Sequence, residues 1–128
     1  MKRITREWVA KAEGDFAILE REARARKNPS YDGICFHAQQ CAEKYLKARL
    51  NEAGLDPPKR HDLISLLEPL LPFEPKWEIY RQDLGYLTDF AVAFRYPGIF
   101  ADRDTALEAR KRCRTFRLAA RRALGMKS

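Results

Sequence analysis

The sequence contains few of the residues from which disulfide frameworks and metal sites are built. Its 128 residues include three cysteines and two histidines, and Cys35, Cys41 and Cys113 form no Cys-x-x-Cys pair. An odd number of unclustered cysteines predicts neither a disulfide framework nor a zinc cluster. We interpret the three as small apolar residues at helix contacts, and we expect no metal site and no cofactor.

A long apolar run is also missing. No segment approaches the roughly 18 consecutive apolar residues that a membrane-spanning helix needs. The basic residues 1–7 are followed by a mixed stretch at 8–15, which is not the apolar core of a secretory signal peptide. We therefore expect a soluble, cytoplasmic protein that does not contact a membrane.

Several enzyme signatures are absent from the chain. It has no P-loop and no Gly-x-Gly-x-x-Gly fingerprint for phosphates. It also has no His-Glu-x-x-His zinc motif and no nucleophile elbow. With two histidines in all, a Ser–His hydrolase has little support in the sequence.

Positive charge is abundant, and it is concentrated near the end of the chain. The net charge is +7. Residues 103–128 contain nine basic and two acidic residues, an excess equal to the net charge of the whole chain. Clustered charge of one sign indicates a polyanion, an acidic partner or a phosphorylated ligand. The nine basic residues are Arg103, Arg110, Lys111, Arg112, Arg114, Arg117, Arg121, Arg122 and Lys127.

Apolar residues recur at spacings of three and four, the helical period, and no segment shows the two-residue period of a strand. The pattern predicts an all-α fold in a single domain, residues 1–128: an antiparallel up-down bundle of four long helices plus one short helix. Thr5 and Asp102 are expected N-caps, and Gly54 and Gly125 follow helix ends. The predicted helices cover about residues 5–26, 30–53, 61–71, 76–94 and 102–124.

The densest polar group lies in the second predicted helix. His37, Gln40 and Lys44 share one face at helical spacing, and that face borders the apolar arc rather than lying opposite it. One interpretation is a half-exposed seam against another helix or subunit. The other is a polar site at a bundle or dimer seam, where His37 would be the natural acid or base near neutral pH.

Two further polar groups flank predicted helices. His61 and Asp62 open the short helix, where they either cap its N-terminus or contact His37 or a ligand. Arg95 and Tyr96 precede Pro97 at the end of the fourth helix. Arg95 either stabilises the helix C-terminus or holds a phosphate at the edge of a site, since its planar guanidinium suits phosphate recognition.

The order of these blocks resembles the HEPN family, the higher eukaryotic and prokaryotic nucleotide-binding domains, over nearly the whole chain. Residues 36–48, FHAQQCAEKYLKA, are similar to the signature of its second helix. The other similar blocks are Trp8 with Ala12 and Asp15-Phe16, then His61-Asp62-Leu63, and then Arg95-Tyr96-Pro97.

The resemblance implies a helical bundle that forms a homodimer and has a separately encoded nucleotidyltransferase as its partner. Many such pairs resemble toxin–antitoxin modules in which the HEPN protein is an RNase. It also implies a nucleotide- or phosphate-binding set, which in this chain comprises His37, Gln40, Lys44, His61, Asp62, Arg95 and Tyr96.

One family motif is missing. HEPN ribonucleases carry an Arg followed, after four to six residues, by His, and neither histidine of this chain follows an Arg at that spacing. We therefore predict a binding module for a nucleotide or an RNA phosphate rather than an enzyme. The alternatives are a metal-independent RNase toxin that uses Arg95 with His37 or Tyr96, and a purely structural dimer or scaffold.

Overall fold

The helices of this protein begin and end close to the capping signals of its sequence. The computed structural model describes residues 1–60 and 62–127, and this part of the chain contains helices and no strand, which confirms the all-α prediction. The α-helices are α1 Arg3–Arg24, α2 Tyr31–Glu52, α3 Leu63–Leu67, α4 Arg81–Thr88 and α5 Arg103–Ala123. Short 3₁₀ helices cover Glu68–Leu70, Pro75–Tyr80 and Asp89–Ala91.

Helices α2 and α5 both have side-chain N-caps, and the cap of α5 is the predicted Asp102. Ser30 and Asp102 each accept a hydrogen bond from the backbone N–H three residues further on, at 2.9 and 2.7 Å. Gly54 and Gly125 follow the helix ends with φ of 75° and 74°, a conformation that costs a glycine little. These local signals fix both ends of each helix.

The predicted N-cap of α1 was wrong. Helix α1 begins at Arg3, and Thr5 is buried within its first turns. The Thr5 hydroxyl donates to Glu52 Oε1 at 2.9 Å and accepts from Asn51 Nδ2 at 2.9 Å. Partners on α2, more than 40 residues away in the sequence, satisfy this hydroxyl, so it has no capping role.

The fourth predicted helix, residues 76–94, is not one long α-helix. It consists of the 3₁₀ helix Pro75–Tyr80, the eight-residue α4 and the 3₁₀ turn Asp89–Ala91. In a 3₁₀ helix residues three apart lie above one another, and this places Trp77 and Tyr80 together against Phe116, with ring centroids 5.1 and 5.8 Å away. Packing on α5 therefore accompanies the tighter winding.

Contacts between the helices define their directions. Glu22 near the end of α1 accepts from the Ser30 backbone N–H at the start of α2 at 2.7 Å, while Thr5 meets the end of α2, so the two helices are antiparallel. Helix α5 is antiparallel to both α1 and α4, as expected of an up-down order. The pairs that show this are Glu20–Arg110 and Glu13–Arg117 for α1, and Asp83–Arg112 and Tyr86–Thr105 for α4.

The core forms where the predicted inward faces of α2, α3 and α5 meet. All three cysteines are buried and unbridged, which confirms their interpretation as small core residues. Among the described residues, no helix is long and apolar enough to cross a membrane. Apolar residues at the helical spacing that are buried include Ala12, Leu19, Ile34, Ala38, Cys41, Ala42, Tyr45, Leu46, Leu63, Leu66, Leu67, Leu70, Leu84, Leu87, Ala106, Ala109, Cys113, Phe116, Ala120 and Leu124.

Candidate functional site

A buried carboxylate at the seam between α1 and α2 brings two of the predicted residues together. Asp15 of α1 accepts from His37 Nδ1 at 2.7 Å and from Lys44 Nζ at 2.5 Å. The Asp15 side chain is 8% exposed, whereas those of His37 and Lys44 are 23% and 21% exposed. His37 and Lys44 lie two helical turns apart on one face of α2, so a single carboxylate orients both of them.

The Asp15 contact determines the arrangement of the His37 ring. An ionised carboxylate only accepts hydrogen bonds, so the proton of a neutral His37 lies on Nδ1 in this contact. Within residues 1–60 and 62–127, Nε2 forms no hydrogen bond with the protein. Nε2 is therefore the ring nitrogen that is available to a ligand.

Gln40 lies on the same α2 face but outside the Asp15 contact. Its Nε2 donates to Gln39 Oε1 at 2.7 Å, and the buried Gln39 donates in turn to Glu43 at 3.2 Å. These bonds are local to α2. Gln40 therefore lies on the polar face of α2 but does not join the carboxylate cluster of Asp15, His37 and Lys44.

A shallow pocket of about 230 Å³ lies beside this stripe, where α2 meets the end of the fourth helical segment. Arg95 stands at its edge and donates from Nε to the Ala91 carbonyl at 3.1 Å. This is the bond of a residue that stabilises a helix end, and it leaves the terminal guanidinium nitrogens unengaged among the described residues. The pocket is lined by Asp32, Gly33, Phe36, Phe90, Ala91, Phe94 and Arg95.

Phe36 joins the pocket to the carboxylate cluster. Its ring is one wall of the pocket and lies edge-on to the His37 ring, with centroids 5.1 Å apart. Phe90 and Phe94 form a second wall as a stacked pair, 5.7 Å apart with a 28° interplanar angle. A surface of aromatic faces with a guanidinium at one edge suits a planar base that carries a phosphate.

Comparison with known families supplies an independent test of the resemblance. The model of the HEPN domain family matches residues 5–123 of the chain. The chain belongs to the HEPN family. This confirms the resemblance seen in the sequence, and the matched range includes Asp15, Phe36, His37 and Arg95. No curated protein and no solved structure matches this HEPN domain.

The other predicted site residues of this HEPN domain are placed elsewhere. Asp62 is the N-cap of α3 and accepts from the Ser65 backbone N–H and hydroxyl, both at 2.8 Å; these bonds lower the pKa of Asp62. Tyr96 is 67% exposed beside Arg95. The predicted His61 lies outside the described residues.

Two residues that shape this surface were missed when site residues were chosen from the sequence. Asp15 belongs to the first-helix block and Phe36 opens the second-helix block, so each stood in a family pattern. Asp15 lies on α1 and Phe36 on α2, and no sequence spacing relates Asp15 to His37 or Phe36 to Arg95. An acidic residue on a predicted core stripe was the signal for Asp15, because a buried carboxylate requires partners.

The basic last helix uses part of its charge inside the molecule. Arg110 binds both carboxylate oxygens of Glu20 on α1, at 3.0 and 2.7 Å. Arg112 bonds Glu108 of its own helix at 2.9 Å and reaches Asp83 of α4 at 3.3 Å. The hydrogen bond from Arg110 is the main cause that lowers the pKa of Glu20.

Glu13 is the centre of a second set of ion pairs between α1 and α5. Arg117 binds both Glu13 oxygens at 2.8 and 2.7 Å. The hydroxyl of the fully buried Tyr45 donates to Glu13 and accepts from Arg121 at 3.1 Å. Burial alone would raise the pKa of Glu13, but the bonds from Arg117 and Tyr45 and the nearby arginine charges hold it below its usual value. Four of the nine basic residues are thus structural.

Proposed function

We propose that this HEPN domain is a cytoplasmic binding module that forms a homodimer and binds a nucleotide or an RNA phosphate. Its partner would be a separately encoded nucleotidyltransferase, in a module of the toxin–antitoxin type. The observation that supports a ligand is that Phe36 both lines the pocket with Arg95 at its edge and contacts the His37 ring that Asp15 orients.

Each part of this surface supports a different element of a nucleotide. The terminal guanidinium nitrogens of Arg95 can donate to phosphate oxygens in the forked geometry that phosphate recognition uses. The faces of Phe36, Phe90 and Phe94 offer apolar contact to a base. His37, the residue after Phe36 in α2, offers Nε2 as a polar contact. Lys44 is engaged by Asp15, so its role is to fix the cluster rather than to meet the ligand.

Calorimetric titration with ATP, GTP and a short RNA tests the proposal that the domain binds a nucleotide or an RNA phosphate. We expect binding of ATP or GTP that Arg95→Gln weakens by about 10- to 100-fold, the effect of losing a charged hydrogen bond of about 1.5–3 kcal/mol. Phe36→Leu should weaken it too, since the aromatic face is lost while the apolar volume is nearly kept. Arg3→Gln removes an equally charged residue that is 75% exposed and bonded to Glu7, and it should leave the affinity unchanged. Folded protein that binds none of the three ligands would contradict the proposal.

Sedimentation tests the proposed homodimer, and co-purification tests the proposed nucleotidyltransferase partner. The chain has a mass of 14.9 kDa, so a homodimer sediments at twice that mass, and the dimer fraction should rise with protein concentration. A nucleotidyltransferase reading frame beside this one, whose product co-purifies with the HEPN domain, would support the partner. A monomer at every concentration would contradict the dimer.

The second candidate is a metal-independent RNase, and the Asp15–His37 hydrogen bond favours it. A carboxylate that fixes the tautomer and direction of an imidazole is an arrangement for acid–base catalysis. It predicts cleavage of RNA in the presence of EDTA, lost in His37→Ala and reduced in Asp15→Asn. RNA that stays intact with pure, folded protein rejects this candidate and leaves the binding module.

A further inference from the structure

Three exposed basic residues of α5 that lack a close carboxylate partner lie together on its outer face. Lys111, Arg114 and Arg122 are exposed. Among the described residues, Lys111 and Arg122 have no ion-pair partner, and Arg114 has one oxygen of Glu20 at 4.0 Å. Glu20 itself is held at shorter range by Arg110. In the part of the chain that the structure describes, none of these three cations has an ion pair shorter than 4.0 Å.

These residues form one stripe along the helix. Lys111, Arg114, Leu118 and Arg122 are spaced by three or four residues, so they follow one side of α5. With a rise of about 1.5 Å per residue, the stripe is roughly 16 Å long. Leu118 is 36% exposed between the cations, and a shallow groove of about 300 Å³ runs along the Lys111–Leu118 part.

The stripe leads into a larger groove between α5 and the 3₁₀ helix Pro75–Tyr80. This groove measures about 690 Å³, and the small side chains of Ala119 and Ala123 leave it open. Trp77 and Tyr80 supply its aromatic floor, with Trp77 only 4% exposed. The groove thus offers a fixed aromatic surface.

The charged residues at the rim of this groove give it a net positive charge. Lys76 and Arg122 both line it, and neither has an ion-pair partner among the described residues. Glu74 also lines the groove, but its carboxylate accepts from Arg49 Nε at 2.9 Å. An anion that enters the groove therefore meets two uncompensated cations and one neutralised carboxylate.

We propose that the outer face of α5 and this groove bind a single-stranded polynucleotide. Its phosphates lie along Lys111, Arg114 and Arg122, and one base lies in the groove against Tyr80. Cations that follow a backbone beside an aromatic surface are the common basis of sequence-tolerant single-strand binding. A peptide of acidic residues without aromatic side chains would use the cations but would have no planar ring for the aromatic floor.

The inference rests on the proposed function's nucleotide or RNA ligand and adds a second surface, separate from the Arg95 pocket, for a polynucleotide strand. The two surfaces share no lining residue. A variant that destroys one therefore leaves the other intact, and the two proposals fail independently.

Fluorescence anisotropy with labelled oligouridine RNA and oligothymidine DNA of about 12 nucleotides, a length within the site sizes of single-strand binders, tests the inference across a salt series. Three phosphate contacts predict a slope of log affinity against log salt of about −2, since each single-strand contact contributes about −0.7. The triple variant Lys111→Gln, Arg114→Gln, Arg122→Gln should lose most of the slope and more than about tenfold in affinity at low salt.

Two matched variants separate this site from general attraction by charge. Arg26→Gln, Lys27→Gln, Lys59→Gln removes the same charge from exposed positions elsewhere, and it should change the slope little. Ala119→Leu fills the groove without changing charge, so it should weaken binding and keep the slope. Melting curves of each variant verify that it is folded.

The outcomes that overturn the inference are distinct. Equal losses in the two triple variants would show attraction by net charge alone. Binding of polyglutamate that equals or exceeds binding of the oligonucleotides would show a surface for an acidic protein. Oligonucleotide binding that is lost in Arg95→Gln and kept in the α5 triple variant would place the polynucleotide at the Arg95 pocket; the proposed function would then stand and this inference would fall. Equal binding of RNA and DNA supports it, because phosphates and stacked bases do not report the 2′-hydroxyl.

Discussion

Replacing Asp15 with Asn tests whether the carboxylate cluster organises the α1–α2 seam. Asn has nearly the same shape as Asp, but it has no charge and one acceptor oxygen instead of two. The substitution therefore removes the counter-charge of Lys44 and places an amide donor against either Lys44 or His37. The packing volume hardly changes, so the effect reports electrostatics and hydrogen bonding.

The geometry sets the expected size of this effect. Hydrogen bonds to charged groups contribute about 1.5–3 kcal/mol each, and removing one partner of a fully buried ion pair costs about 3–5 kcal/mol. Lys44 is 21% exposed and regains some water when its partner is lost. We therefore expect Asp15→Asn to lower the free energy of unfolding by about 2 kcal/mol, and the melting temperature of a chain of this size by about 8 °C.

Chemical unfolding in urea, followed by circular dichroism, measures this loss. Lys44→Met is the matched background, because it keeps the apolar stem and removes the charge that Asp15 neutralises. In that background Asp15→Asn should cost at least about 1 kcal/mol less than in the wild-type chain, which is the coupling between the two residues. A cost below about 0.5 kcal/mol that is the same in both backgrounds would refute the role of Asp15 as the organising carboxylate.

Three further predictions concern charge, capping and burial. The pKa of Glu13 lies below its usual value of 4.5 in the folded protein, so its contribution to stability is full above that value and is lost as the pH falls through the folded pKa. The difference in unfolding free energy between wild type and Glu13→Gln should therefore shrink on acidification. A difference that does not change with pH would contradict this prediction. Asp62→Ala should cost about 1 kcal/mol and Asp62→Asn only a few tenths, as measured by thermal melting; equal costs would argue against the cap. The thiols of Cys35, Cys41 and Cys113 are buried, and burial raises the pKa of Cys35 to about 12. They should therefore react with a disulfide reagent no faster than the chain unfolds. Rapid labelling of the native protein would show an exposed thiol.

The sequence predicted the parts of the fold that depend on neighbouring residues. The apolar period identified the inward faces of α2, α3 and α5, because burial of one helix face is encoded in spacings of three and four. Asp102, Gly54 and Gly125 marked helix ends, because capping uses residues within one turn. The ordered blocks between Trp8 and Pro97 also resembled the family whose model matches residues 5–123.

Long-range contacts decided what these local patterns left open. The fourth segment has the apolar spacing of one helix, yet it winds partly as 3₁₀ so that Trp77 and Tyr80 meet Phe116. The same holds for Thr5, whose partners come from the end of α2. Neither outcome follows from spacing, since both depend on which side chains another helix presents.

The candidate site divides in the same way. The sequence by itself selected His37, Lys44 and Arg95 as chemically suitable residues and established a strongly basic last helix. Only the tertiary structure showed that Asp15 engages two of them and that Phe36 joins them to the pocket of the third. It also distinguished the cations of α5, because those that face a carboxylate of α1 or α4 form ion pairs within the fold, whereas those on the outer face have no close carboxylate. That difference in surroundings, which no local pattern encodes, separates the arginines that hold the bundle together from those that are free to meet a ligand.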